Sequence, residues 1–279
     1  MTEHREGPLT ARVVPGPALY FRAAEADKPR AVLGLLHGYA DHSGRYTHVM
    51  DFFAERGITT VAIDMRGHGR ALGERGYCDK FEEFLDDAAE VAALTEKQAA
   101  GLPVFLLGHS FGGLTAAASA LETPRSLRGI LLSSPYFGLA LAVPKVKRLV
   151  GQLASRVYPR LALASGLTGA DVTRDAERAA AYDADPLGFP TAKARWFFET
   201  LAAQEHVIAQ APRFKLPLYV SFGTVDKVAQ IADAKRFFDG AGSSDKTWDE
   251  RRGAYHEPLS DPDWADVADA MSQWILARV

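Results

Sequence analysis

Apolar and polar positions change places in blocks along the chain. Residues 11–15, 18–23 and 31–37 are short apolar runs broken by glycine and proline, the last almost uninterrupted, and such runs bounded by turn formers predict strands. Residues 46–56 carry a helical pattern that stops at Gly57, and 59–64 read as a strand. Residues 81–98 place Phe81, Phe84, Leu85, Ala88, Val91 and Ala92 on one helical face. A strand at 104–108, a helix from about Phe111 and a continuous apolar run at 129–133 follow. Strands that are apolar at every position must be covered on both faces. Separated by helices, they predict an α/β fold with a mostly parallel central sheet.

The alternation breaks at Pro135. From there to about Pro212 the chain is rich in Ala and Leu, helical in pattern and without a strand signature. This stretch reads as a helical cap inserted between two sheet strands, dividing the chain into a core of residues 1–136 and 212–279 and a cap of 137–211. The first part of the cap, 139–167, carries Lys145, Lys147, Arg148, Arg156 and Arg160 among Leu, Val and Tyr, and 171–210 holds two clearer helical patterns. Strand 218–222, helix 231–238 and strand 247–252 restore the alternation. A last helix begins at Trp264, with Trp264, Val267, Met271, Trp274 and Ile275 at helical spacing.

With 279 residues, 47% hydrophobic and 24% charged, the chain has the make-up of a globular enzyme with a large core. Its net charge of −3 supplies no basic field for a phosphate backbone, so nucleic acid is not an expected partner. Cys78 is the only cysteine, which excludes an intrachain disulfide and a thiolate metal cluster and agrees with a reducing compartment. The first ten residues lack the apolar core of a signal peptide, and no run of 18 apolar residues occurs. A cytoplasmic enzyme is the expectation.

The candidate chemistry begins at Gly108-His109-Ser110-Phe111-Gly112. This fits G-x-S-x-G at the junction of a buried strand and a helix, the context in which the motif holds a serine on a sharp turn, as in α/β-hydrolases. A serine hydroxyl needs a base, and the base needs a carboxylate to orient it. In that fold the chain order is Ser, then Asp or Glu, then His. Of the eight histidines only His206 and His256 follow Ser110. His206 lies inside a helical stretch of the cap, whereas His256 follows the last strand in a Gly253-Ala254-Tyr255 turn, so His256 is the candidate base. Asp226, directly after the apolar run 218–222, is the candidate acid. Asp239, Asp245 and Asp249 compete, but the first two sit in a polar loop and the third inside a strand. The oxyanion of an acyl-transfer intermediate needs two backbone N–H donors. Phe111, after the nucleophile, and Tyr39, in the loop after the early strand, are the candidates.

At these residues the sequence resembles the monoacylglycerol lipase and lysophospholipase-like family of α/β-hydrolases. The matching stretches are His37-Gly38-Tyr39-Ala40-Asp41-His42-Ser43-Gly44-Arg45-Tyr46, Asp64-Met65-Arg66-Gly67-His68-Gly69, Gly73-Glu74-Arg75-Gly76, the serine motif with Gly113, and Gly253-Ala254-Tyr255-His256-Glu257. They run in order from about residue 30 to the C-terminus. The resemblance implies a triad of Ser110, Asp226 and His256 with oxyanion donors at Tyr39 and Phe111, the residues already chosen. It also implies hydrolysis of lipid esters, monoacylglycerols first, with lysophospholipids or general carboxylic esters as the alternative. Tyr39 stands where many relatives carry a small residue, Ala71 replaces a frequent serine, and Leu259 stands where some relatives use a second histidine.

Arg45 and His42 are candidates for holding a polar head group, against the commoner fate of a salt bridge or loop hydrogen bond. Arg66 and His68 read as turn-fixing residues. No metal or organic cofactor is required for this chemistry. The expected partner is a small lipid ester, and the basic, apolar outer face of the cap suits contact with a membrane or micelle. An aminopeptidase would need a carboxylate cluster in the cap, and Asp171, Asp175, Asp183 and Asp185 instead read as a solvated series. A non-catalytic ligand-binding module is the alternative from another class, disfavoured by an intact triad.

Overall fold

The computed structural model describes residues 2–11, 13–122, 126–140, 151–152 and 155–279. In chain order the first half runs β1 (Glu3–Leu9), β2 (Leu19–Glu25), β3 (Ala31–Leu36), α1 (Thr47–Glu55), β4 (Ile58–Asp64), α2 (Glu82–Ala99), β5 (Val104–His109), α3 (Phe111–Glu122) and β6 (Gly129–Ser133). An inserted segment then holds β7 (Ala162–Ala164), α4 (Gly169–Val172), α5 (Ala176–Ala184), β8 (Thr191–Lys193) and α6 (Ala194–Ala209). The chain returns through β9 (Leu218–Gly223), α7 (Ile231–Gly240), β10 (Lys246–Arg251) and α8 (Trp264–Leu276).

Among the described residues, eight strands form one sheet in the order β1-β2-β4-β3-β5-β6-β9-β10. The β1/β2 and β2/β4 pairs are antiparallel and the rest parallel. The uninterrupted apolar strands are explained by cover on both faces. Leu33, Leu35, Phe105, Leu107, Leu131 and Tyr219 pack in one layer with Val49, Met50 and Phe53 of α1 and Val267, Met271 and Ile275 of α8. The alternate residues Leu36, Leu106, Ile130, Leu132, Val220 and Phe222 face α2, α3 and α7 on the other side. From β3 the chain passes to β4 on one side, and β5 then joins on the other side of β3. The carboxyl ends of β3 and β5 therefore flank the point where the winding reverses, where open parallel sheets bind ligands.

Two sequence expectations are corrected here. The first strand is not residues 11–15 but Glu3–Leu9, paired in full register with β2 from Glu3↔Glu25 to Leu9↔Leu19. It is a polar edge strand, held by the ion pairs Arg5–Glu25 and Arg22–Glu6, and so carries no apolar alternation; charge on an edge also discourages pairing with another chain. The backbone N–H of Val14 instead donates to Glu90 of α2 at 3.2 Å. The inserted segment, expected to be helical throughout, contains the antiparallel β7–β8 ribbon, whose three-residue strands are too short to show a period. The expected residues Lys145, Lys147 and Arg148 lie outside the described residues.

Phe53 is fully buried between α1, the sheet and α8. Phe53→Ala is expected to cost about 3–5 kcal/mol of unfolding free energy, read by urea denaturation; a loss under about 1 kcal/mol would contradict this packing.

Candidate active site

Ser110 joins β5 to α3 in the left-handed region, at φ +52°, a conformation that costs a residue with a side chain about 1–3 kcal/mol. The flanking glycines explain how it is held. A Cβ on Gly108 would come within 2.3 Å of the Gly112 carbonyl oxygen, and one on Gly112 within 2.3 Å of the Leu36 oxygen and 2.4 Å of the His37 oxygen. Helix and sheet thus touch backbone to backbone. Ser110 N–H donates to the Ser133 carbonyl at 2.9 Å, and the Ser110 carbonyl accepts from Gly113 and Tyr136 at 2.9 Å and from Leu114 at 3.1 Å. The side chain is left at the carboxyl end of the sheet.

The turn after β9 carries Asp226. Its Oδ1 accepts from the backbone N–H groups of Val228 at 2.7 Å and Ala229 at 2.9 Å, which turns Oδ2 toward His256 Nδ1, 2.7 Å away. On the other side of the ring, Nε2 lies 2.8 Å from Ser110 Oγ. An ionised carboxylate only accepts, so Nδ1 carries the proton and Nε2 is free to accept from the serine hydroxyl. Burial would lower the pKa of His256. The Asp226 carboxylate outweighs it, with smaller help from Glu257 and Asp41, and holds the pKa above the ordinary imidazole value. The competing acids are engaged elsewhere: Asp239 with Lys235, Asp245 with Arg278, and Asp249 with Arg251 and Tyr219.

The loop after β3 is clamped from both sides. His37 Nε2 accepts from Met65 N–H at 3.0 Å, so its Nδ1–H donates to the Gly38 carbonyl at 2.6 Å. Burial lowers the His37 pKa and keeps the ring neutral, as that pattern requires. In a trans peptide the N–H points opposite to the carbonyl, so fixing Gly38 C=O aims the Tyr39 N–H away from His37. A Cβ on Gly38 would lie 3.5 Å from Ser110 Cβ, which puts this backbone beside the serine. Phe111 opens α3, where first-turn N–H groups have no intrahelical acceptor and the helix dipole favours negative charge. The Tyr39 ring stacks on Trp196 at 3.5 Å between centroids, and its hydroxyl lies 3.1 and 3.2 Å from the Gly76 and Thr191 carbonyls, which share its one proton.

Above Ser110 lies a cavity of about 600 Å³. Leu161, Leu163, Leu167, Trp196, Phe197 and Phe198 form its apolar wall, and Asp41, Arg45, Asp183, Asp185 and Glu257 contribute charged groups. The two head-group candidates have protein partners. Arg45 donates to both oxygens of Glu257 at 3.0 and 2.7 Å and to Asp41 at 3.1 Å, with Tyr182 under its guanidinium at 4.7 Å. His42 Nδ1 accepts from Gly44 N–H at 3.1 Å, so Nε2–H donates to Asp185 at 2.8 Å. Sequence reasoning had missed Asp41 and Glu257. The i,i+4 spacing of Asp41 and Arg45 was a usable signal; the 212-residue separation of Arg45 from Glu257 was not. Arg66 ties its turn to Asp87 and Glu83, and His68 Nδ1–H donates to the Arg66 carbonyl at 2.8 Å. Among the described residues no group of three or more ligand-type side chains could hold a metal.

The family model described as "Serine aminopeptidase, S33" matches residues 27–263, most of the chain. The chain belongs to the serine aminopeptidase S33 family. The chain is 34% identical over 247 residues to phospholipase YtpA of Bacillus subtilis (strain 168), covering 87% of this chain and 94% of that protein. It is 31% identical to a monoacylglycerol lipase of Mycolicibacterium smegmatis, covering 90% of each. The crystal structure of Paleococcus ferrophilus monoacylglycerol lipase superposes with a TM-score of 0.84 at 29% identity, over 94% of this chain and 99% of that one. These comparisons and the sheet order give the α/β-hydrolase fold. Of the four cap aspartates that the sequence reads as a solvated series, Asp183 and Asp185 instead line the cavity, and all four are engaged by backbone or side-chain donors. Asp171 and Asp175 cap helices, Asp183 accepts from Gly169 N–H, and Asp185 accepts from His42 and Leu187 N–H.

Gly112→Ala is expected to drive helix and strand apart, costing about 1–3 kcal/mol of stability and most of the esterase activity; a variant with wild-type stability and rate would refute the contact described at this turn.

Proposed function

We propose that the chain is a serine hydrolase of lipid carboxylic esters, with monoacylglycerols as its main substrates. The observation that carries this reading is the hydrogen-bonded line from Asp226 through His256 to Ser110, at 2.7 and 2.8 Å, on the floor of a largely apolar cavity. Similarity to two monoacylglycerol lipases supports the head group. Similarity to a phospholipase keeps lysophospholipids as the second reading.

His256 Nε2 takes the hydroxyl proton as Ser110 Oγ attacks the ester carbonyl. The developing oxyanion is received by the N–H groups of Tyr39 and Phe111. Asp226 fixes the tautomer and balances the imidazolium, which then protonates the leaving alcohol. Water, deprotonated by the same ring, releases the fatty acid from the acyl-enzyme.

We further infer that residues 137–211 act as a cap over the core. Its exposed Val157, Tyr158, Leu161 and Leu163, with Arg156 and Arg160 beside them in sequence, suit contact with a micelle or membrane surface. Among the described residues no helix is long and apolar enough to cross a membrane.

Ser110→Ala is expected to abolish both monoacylglycerol hydrolysis and labelling by a fluorophosphonate; labelling that survives the substitution would overturn the assignment of the nucleophile. Asp226→Asn should lower kcat by about 10⁴-fold. The base must be neutral, and its pKa is raised, so kcat/KM should fall on acidification with a midpoint above the usual imidazole value of about 6.5. Removing the Asp226 charge should move that limb to lower pH. A wild-type midpoint well below about pH 6 would contradict the electrostatics described.

A further inference from the structure

We propose that Glu257, by occupying the guanidinium fork of Arg45, sets the head-group specificity of the site, admitting uncharged polyol alcohols and rejecting leaving groups that carry a phosphate. The inference rests on the ester-hydrolase reading above, because it requires His256 to protonate the leaving alcohol. That step places the alcohol part of the substrate on the His256 side of Ser110.

Glu257 is the residue after His256, and it meets Arg45 there in a two-point hydrogen bond at 3.0 and 2.7 Å. The arginine side chain is 16% exposed and the glutamate 8%. A guanidinium fork of this kind is what a phosphate would seek. Here the Nη1/Nη2 edge is taken by Glu257, and Nη1 also donates to Asp41 at 3.1 Å.

The charge around it has the same effect. Among the described residues lining the cavity, Asp41, Asp183, Asp185 and Glu257 stand against Arg45 and Lys227, leaving acid in excess. Lys227 Nζ is 3.6 Å from Asp171 and 4.8 Å from the Tyr255 ring centroid, at the exposed rim. An incoming phosphate would have to displace a bonded carboxylate and then sit among like charges in a medium that screens them weakly. Glycerol hydroxyls meet no such barrier, since they can donate to the same carboxylate oxygens while the ion pair stays intact.

The test compares two soluble substrates that differ only in the phosphate, 1-hexanoylglycerol and 1-hexanoyl-lysophosphatidate; the short chain removes surface-charge effects of micelles. Wild type is expected to prefer the glyceride by at least about 100-fold in kcat/KM. Glu257→Gln keeps the shape, removes the charge and frees the fork, so the preference should narrow at least about tenfold, chiefly through a lower KM for the phosphorylated substrate. Adding Arg45→Gln to that variant should restore the discrimination.

A wild-type ratio near one would overturn the proposal, without any variant being needed. An unchanged ratio in folded Glu257→Gln would overturn it too. Both results would leave the hydrolase reading standing, since the glyceride is still cleaved. Cleavage of neither substrate, with no fluorophosphonate labelling of Ser110, would bring down the hydrolase reading and this proposal together.

Discussion

The geometry of this molecule is organised around one tight backbone contact, the approach of α3 to the carboxyl ends of β3 and β5. The left-handed turn at Ser110 exists because Gly108 and Gly112 allow carbonyl oxygens to lie where side chains would otherwise be. Two consequences follow from the same contact. The serine is lifted clear of the sheet, and the first turn of a helix is brought against the loop that follows β3. The Ser110 hydroxyl and two sources of backbone N–H are therefore assembled by packing alone. The remaining groups, Asp226 and His256, arrive from the turns after β9 and β10, which the parallel sheet delivers to the same end.

A second layer of order is electrostatic. Asp41 accepts from Gly38 N–H, the Tyr46 hydroxyl, His42 N–H and Arg45, and Arg45 in turn grips Glu257 next to His256. The loop that carries Tyr39 and the turn that carries His256 are thereby joined through buried charges. Such pairs contribute little net stability, because desolvation offsets most of the attraction. Their effect is directional: each guanidinium N–H fixes the position of an acceptor.

The legible part of the molecule was the part with a period or a motif. Continuous apolar strands between helices gave the mostly parallel sheet, and the serine motif at a strand–helix junction gave Ser110. Chain order then singled out Asp226 and His256, which the fold brings into one hydrogen-bonded line with it. What escaped had no local signature. The β1 strand, Glu3–Leu9, is polar because both its faces are largely open to water, and three-residue strands such as β7 leave no pattern to read. Glu257 had no role legible in the sequence, because the fold alone brings it to Arg45. For Arg45 and His42 the commoner fate of such residues, a salt bridge or loop hydrogen bond, is the one the fold shows, but the partners Glu257 and Asp185 come from distant segments and had no local signature.

One feature of the topology bears on how such a chain can change over time. The strands on either side of the inserted segment, β6 and β9, are direct neighbours in the sheet, with Ile130 opposite Leu218 and Ser133 opposite Ser221. The insertion therefore leaves and rejoins the scaffold at almost one place, and its length and sequence are not coupled to strand registry. Evolution can lengthen, shorten or replace it as a cassette, remodelling the walls around Ser110 while the reaction centre beneath is inherited intact.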